Sequence, residues 1–175
     1  MTRSWLCAIA GVALCLPASA AAQTPNDAQI AAIVVTANQV DVDAGRLAAS
    51  RASTEKVRQF ANLMVTDHTA VNTSATNLAT RLKVTPQEND TSRALKAGGD
   101  KHLATLKTLE GAAFDRAYVD HEVAYHQQVL DALDAQLIPN AQNAELKALL
   151  VKVRPAFVAH LEHARQLQKA SGGHR

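Results

Sequence analysis

Between Asp27 and Ala170, four separate stretches carry apolar residues at alternating steps of three and four, the rhythm with which helices pack around a shared axis. The first stretch reads Ile30, Val34, Ala37, Asp41, Ala44, Ala48, and the second Val57, Ala61, Met64, His68, Val71, Ala75, Leu78, Leu82. The third reads Val119, Val123, His126, Leu130, Leu133, Leu137, and the fourth Leu146, Leu150, Val153, Phe157, His160, Ala164, Leu167. No comparable length shows the period-two alternation of a half-buried strand. Each seam contains one polar exception, so one carboxylate and three imidazoles are expected to face the axis.

Boundary signals divide the chain further. A first helix is expected over Asp27–Arg51, capped by Asn26 or Asp27, and a second from a cap at Ser53 to Leu82. The loop from Lys83 to Asp90 contains Pro86. The segment Thr91–Leu109 is interrupted by Gly98 and Gly99 and is expected to form two short helices crossing the outside. A further helix spans Ala112–Ile138 up to Pro139, and the last runs from a cap at Asn140 or Asn143 to Ala170, bent at Pro155. Only 3% of residues are aromatic, which disfavours a β-sandwich or barrel. The expected fold is all-α: a four-helix bundle with a short helical crossover between the second and third long helices.

The first 22 residues follow a different rule. Arg3 precedes the apolar run Trp5–Leu16, then Pro17 and small residues, the pattern of a secretory signal peptide cleaved after Ala22 in preference to Ala20. The run is shorter than the ~20 residues needed to span a bilayer. Leu14 before Cys15 disfavours a lipoprotein signal. Cys7 and Cys15 leave with the leader, so the remaining domain, residues 23–175, is expected to rely on packing alone in a disulfide-permissive compartment. Its expected location is the periplasm, without a transmembrane segment, either free or peripheral to the outer membrane. The formal charge is +2 with no Lys/Arg run, which argues against nucleic acid as a partner.

Unpaired buried polar groups cost about 1–3 kcal/mol each, and pairing or metal coordination removes that cost. Counting ~1.5 Å per residue from the turns near Ala52 and Ala141 brings Asp41, His68, His126 and His160 within about 10 Å of one level. These four form a candidate ligand set for one transition metal, iron, zinc, copper or manganese, with Asp67 and Glu122 placed to orient the rings. Glu122, one turn before His126, is itself a candidate ligand. The chain has no Gly-x-Ser-x-Gly, phosphate-binding glycine loop or His-Glu-x-x-His, so catalysis, if any, would be redox chemistry at a bound metal. Covalent haem is excluded by the lack of Cys-x-x-Cys-His, and Met64 reads as core. The competing reading is a structural polar layer that fixes helix register, with function at the surface against an envelope protein. Phe114, Tyr118, His121 and Tyr125 form a second stripe, expected to meet the crossover. His102, His121, His163 and His174 read as surface residues. Oligomeric state is not encoded in any of these features.

The segments VDVDAGRLA (Val40–Ala48), VRQFANLMVTDH (Val57–His68), FDRAYVDHEVAYHQQVLD (Phe114–Asp131) and RPAFVAHLEHA (Arg154–Ala164) resemble the secreted bacterial ferritin-like proteins catalogued as a domain of unknown function and often labelled predicted outer membrane protein. The likeness spans about Asp27 to Ala170. It implies a periplasmic ferritin-like bundle, with the family's characteristic polar positions at Asp41, Asp67, His68, His126 and His160. Asp41 stands where the family usually has glutamate, and that shorter acid reaches less far into the axis. The Glu-x-x-His spacing of di-iron bundles is absent, since Val65 precedes His68 by three and Phe157 precedes His160 by three. A standard di-iron ferroxidase is therefore disfavoured, and the family carries no assigned activity.

Overall fold

The structure is a computed structural model that describes residues 24–172. The signal-peptide reading, both cysteines and His174 lie outside the described residues. The elements run α1 Asp27–Arg51, α2 Glu55–Arg81, α3 Asp90–Lys107, α4 Gly111–Ala132, a π-helical turn Leu133–Leu137, α5 Ile138–Asn140 and α6 Ala144–Gly172. No strand occurs among the described residues. Helix α1 packs on α2, α2 on α6, α6 on α4 and α4 on α1, closing a ring of four long helices, while α3 lies across α1 and α4. The fold is all-α, and the crossover sits on the outside of the ring. No helix of the described residues is long and apolar enough to cross a membrane.

Local chemistry sets where these helices start. Asn26 caps α1 in a reciprocal box, accepting from the Gln29 N–H while the Gln29 side chain accepts from the Asn26 N–H, each at 3.0 Å. The start of α2 differs from the sequence expectation. Ser53 does not cap it with its own side chain; Asp115 on α4 accepts the backbone N–H groups of Ser53 and Thr54 at 2.7 and 2.9 Å, together with both hydroxyls. A carboxylate from another helix thus fixes the turn leading into α2 and complements the positive end of the α2 dipole.

The expected break in the crossover is also corrected, because α3 is one continuous helix. Its glycines permit close approach instead of chain reversal: a Cβ on Gly99 would lie 2.7 Å from Val40 Cγ2 on α1. Asn89 caps α3 through a box with Ser92.

The end of α4 carries a second departure. Pro139 does not stop the helix; the chain widens into the π turn Leu133–Leu137, where the Ile138 N–H bonds to the Leu133 carbonyl, and continues to Asn140. Pro139 has no N–H to give the carbonyl four residues back, so the extra residue per turn falls where the ordinary ladder fails. Asn143 caps α6, accepting from Glu145 and Leu146, and α6 continues through Pro155.

The apolar core forms two clusters, one containing Ile30, Leu133, Leu150 and Phe157 and the other Phe60, Met64, Phe114 and Tyr118. On α1 the border falls between Val40 and Ala44, on α2 between Met64 and Ala75, on α4 between Val119 and Tyr125, and on α6 between Leu161 and Ala164. Asp41, His68 and Glu122 occupy that border, with His126 and His160 within a turn of it.

Candidate metal centre

His68, His126 and His160 come from α2, α4 and α6 and are 0%, 0% and 4% exposed. Their ring centroids lie 5.2–5.5 Å apart, and one ring nitrogen from each lies within 4.8 Å of the other two. Three separate seams deliver them to one place because each histidine holds an axis-facing position in its own heptad-like pattern.

Each ring has one nitrogen engaged and one left over. His68 Nδ1 lies 2.8 Å from Asn38 Oδ1, His126 Nδ1 lies 3.1 Å from the Glu122 carbonyl, and His160 Nε2 lies 2.9 Å from Asp67 Oδ2. The remaining atoms, His68 Nε2, His126 Nε2 and His160 Nδ1, are buried without a hydrogen-bond partner among the described residues. An acceptor behind each imidazole fixes its tautomer and orientation, the arrangement that ligating histidines use. Buried groups left bare in this way are costly unless something ligates them.

Asp41 lies elsewhere in the same layer. It groups with Glu122 and His126, not with His68 and His160 together: one oxygen each from Asp41 and Glu122 and a His126 nitrogen lie within 4.8 Å of one another. Asp41 Oδ2 is 3.5 Å from His68 Nδ1, and Glu122 Oε2 is 3.3 Å from His126 Nδ1, so both acids sit behind the rings. Both carboxyl groups are fully buried, with no hydrogen-bond partner for their oxygens among the described residues.

The electrostatics follow from burial. Desolvation, then Glu122, push the Asp41 carboxyl well above the usual carboxylate range. Burial alone would lower His126, but Asp41 and Glu122 outweigh it and push the imidazole up to about 9. Burial, then the neighbouring His126 and His160, hold His68 well below the usual range, and burial also lowers His160 against the opposing pull of Asp67. Burial thus favours the neutral form of His68 and His160, while the acids favour the protonated form of His126. The Tyr118 hydroxyl is held protonated by burial and by Glu122.

Sequence reasoning missed Asn38 and Tyr118. Asn38 stands three residues before Asp41 on the same face of α1, and Tyr118, Glu122 and His126 repeat every four residues on α4. Both spacings were available as signals. The histidines read as surface residues need correction within the described chain. His102 and His121 are half-buried and stacked, with centroids 3.5 Å apart and planes 9° from parallel, while His163 stands edge-on to Phe60 at 5.0 Å. Helix α3 lying over α4 removes the first two from solvent, and they lie outside the triad.

The chemistry of the donors suits a transition metal. The buried His/Asp clusters could hold a metal ion, and three neutral-capable imidazole nitrogens favour zinc, copper, iron or nickel over magnesium or calcium. A comparison with curated proteins finds no match, and a comparison with solved structures finds none. The sequence model of a family described as "Domain of unknown function (DUF4142)" matches residues 14–167. That match covers the four long helices up to the last turn of α6 and includes every residue of the buried polar layer, so the chain belongs to the DUF4142 family.

Proposed function

We propose that this protein is an exported, periplasmic bundle of ferritin-like kind that holds one transition-metal ion through His68, His126 and His160. In this reading residues 1–22 are a cleaved leader, and residues 23–175 are the working domain, free in the periplasm or peripheral to the outer membrane. The observation that carries the metal reading is the triad itself: three buried imidazoles from three helices, each anchored behind and bare in front. Zinc and copper are the preferred occupants because the converging donors are all nitrogen. Asp41 and Glu122 compensate charge from behind the rings, while Asp67 and Asn38 hold the rings. A bound metal with three protein ligands and an open position would supply Lewis-acid or, for copper, one-electron chemistry.

Elemental mass spectrometry on untagged protein, exported and purified without chelator, tests this reading. About one metal ion per chain is expected. It should be lost in the His68→Ala/His160→Ala variant and kept in His102→Ala. Absence of metal from folded wild-type protein, or equal retention in all three proteins, would reassign the histidines to a structural layer.

A further inference from the structure

The triad borders a second feature. A cavity of about 60 Å³ lies between the helices, its lining including Asn38, Phe157, Ala132, Leu133, Gln128 and Gln136. The two glutamines are exposed, so the lining reaches solvent. Two of the buried lining residues touch the site: the Phe157 ring lies 5.1 Å from the His68 ring and 5.9 Å from the His126 ring, and Asn38 holds His68. Leu133 belongs to the π turn, a distortion that recurs at functional places in helices.

Size and chemistry select what can occupy this space. Sites for metabolites usually run to about 300–1,000 Å³, far larger than this cavity. An ion would lose its hydration without compensation against an almost wholly apolar wall. Water needs about two to four polar partners, and the one buried polar side chain of the lining is already committed, Asn38 Oδ1 to His68 and Asn38 Nδ2 to the Val34 carbonyl. An uncharged diatomic needs no hydrogen bond and fits. We propose that this cavity admits and holds an uncharged diatomic gas, dioxygen by chemical class, beside His68 and His126. The inference rests on the metal reading only for what the gas meets there.

Xenon reports the cavity without any metal. Metal-free wild-type protein under xenon pressure should take up one atom bounded by Phe157 and Leu133, detected by crystallography or xenon NMR. Ala132→Phe should abolish that uptake, with the milder Ala132→Leu and Val153→Phe, at another lining residue, as further variants should the first fail to fold. Carbon monoxide binding to copper(I)-loaded protein, followed by its infrared stretch, should be slowed about tenfold in the filled variant, with copper affinity unchanged. No xenon in wild-type protein, xenon persisting in every folded filled variant, or unchanged carbon monoxide association in a variant that has lost xenon would overturn the proposal. The two readings fail separately: xenon uptake without metal retention removes the metal, and metal retention without xenon uptake removes the gas cavity.

Discussion

The Nδ1 of His68 lies 2.8 Å from Asn38 Oδ1, while Asn38 Nδ2 donates to the Val34 carbonyl at 2.7 Å. The second contact decides the first. A carbonyl only accepts, so the amide nitrogen must face Val34 and the amide oxygen must face the ring. His68 Nδ1 therefore donates, and Nε2 carries the bare lone pair. Replacing Asn38 with Ala releases both ring and tautomer and should weaken metal binding by about 10–100-fold, read by competition against a chromophoric chelator. Asn38→Asp keeps an acceptor at the same reach and should recover much of that loss. Equal affinity in Asn38→Ala and wild-type protein would show that His68 needs no help from α1.

Metal binding should release protons, and the sign follows from His126. Its imidazole is raised to about 9 because the Asp41 and Glu122 carboxyls outweigh the opposing effect of burial. A raised group stabilises the metal-free chain fully below its unfolded value near 6.5, and that contribution is lost as pH rises through about 9. Ligation requires the neutral ring, so the metal must displace this proton. Calorimetry of zinc binding near pH 8 in buffers of different ionisation enthalpy should show about one proton released per ion, with affinity rising as pH rises towards 9. Glu122→Gln weakens the hold on the proton and should lower the release.

The bundle and the inward histidines were legible because both are consequences of period. A polar residue in mid-seam of an apolar stripe stands out, and Asp41, His68, His126 and His160 did so on four helices. What escaped depends on contacts between elements. Gly98 and Gly99 read as a break until Val40 is seen against Gly99, and Ser53 reads as a cap until Asp115 is seen beneath it. Asp41 is the partial case: its inward direction follows from its seam, but its place beside Glu122 instead of among the three rings depends on relative helix rotation, which spacing does not fix. The cavity is invisible to pattern altogether, because it arises from imperfect filling among residues that are each ordinary core.

Asp115 offers a stability test remote from the rings. Its carboxylate is nearly buried and receives the Ser53 and Thr54 N–H groups together with both hydroxyls. Removing one helix-cap acceptor typically costs about 0.5–2 kcal/mol. Asp115→Ala leaves several donors bare at once, so a loss near the upper end, about 2 kcal/mol, is expected from the shift in urea midpoint at constant m. Metal affinity should not change, because Asp115 touches only the α1–α2 turn. A midpoint within error of wild type would mean that water replaces the carboxylate without penalty.

The stacked pair His102 and His121 makes the contact between α3 and α4 sensitive to acid. Burial, then the facing His121, lowers His102 to about 4, and burial lowers His121 too, although Glu122 pulls both upward. Groups with depressed folded values stabilise the chain in their neutral form. Their contribution is complete above the unfolded value of about 6.5 and is lost as pH falls towards 4. Within that window the unfolded chain binds the protons more readily, and two cationic rings with centroids 3.5 Å apart would also repel each other. The protection of α3 amides, corrected for the pH dependence of intrinsic exchange, should therefore fall between about pH 6.5 and pH 4 more than that of α1, since α3 is held to the ring of long helices from one side. His102→Phe keeps an aromatic face against His121 but cannot be protonated, and it should flatten the pH dependence of α3 while leaving that of His68 and His160 in place. Acid loss of α3 protection undiminished in His102→Phe would place the sensitivity in the buried triad instead.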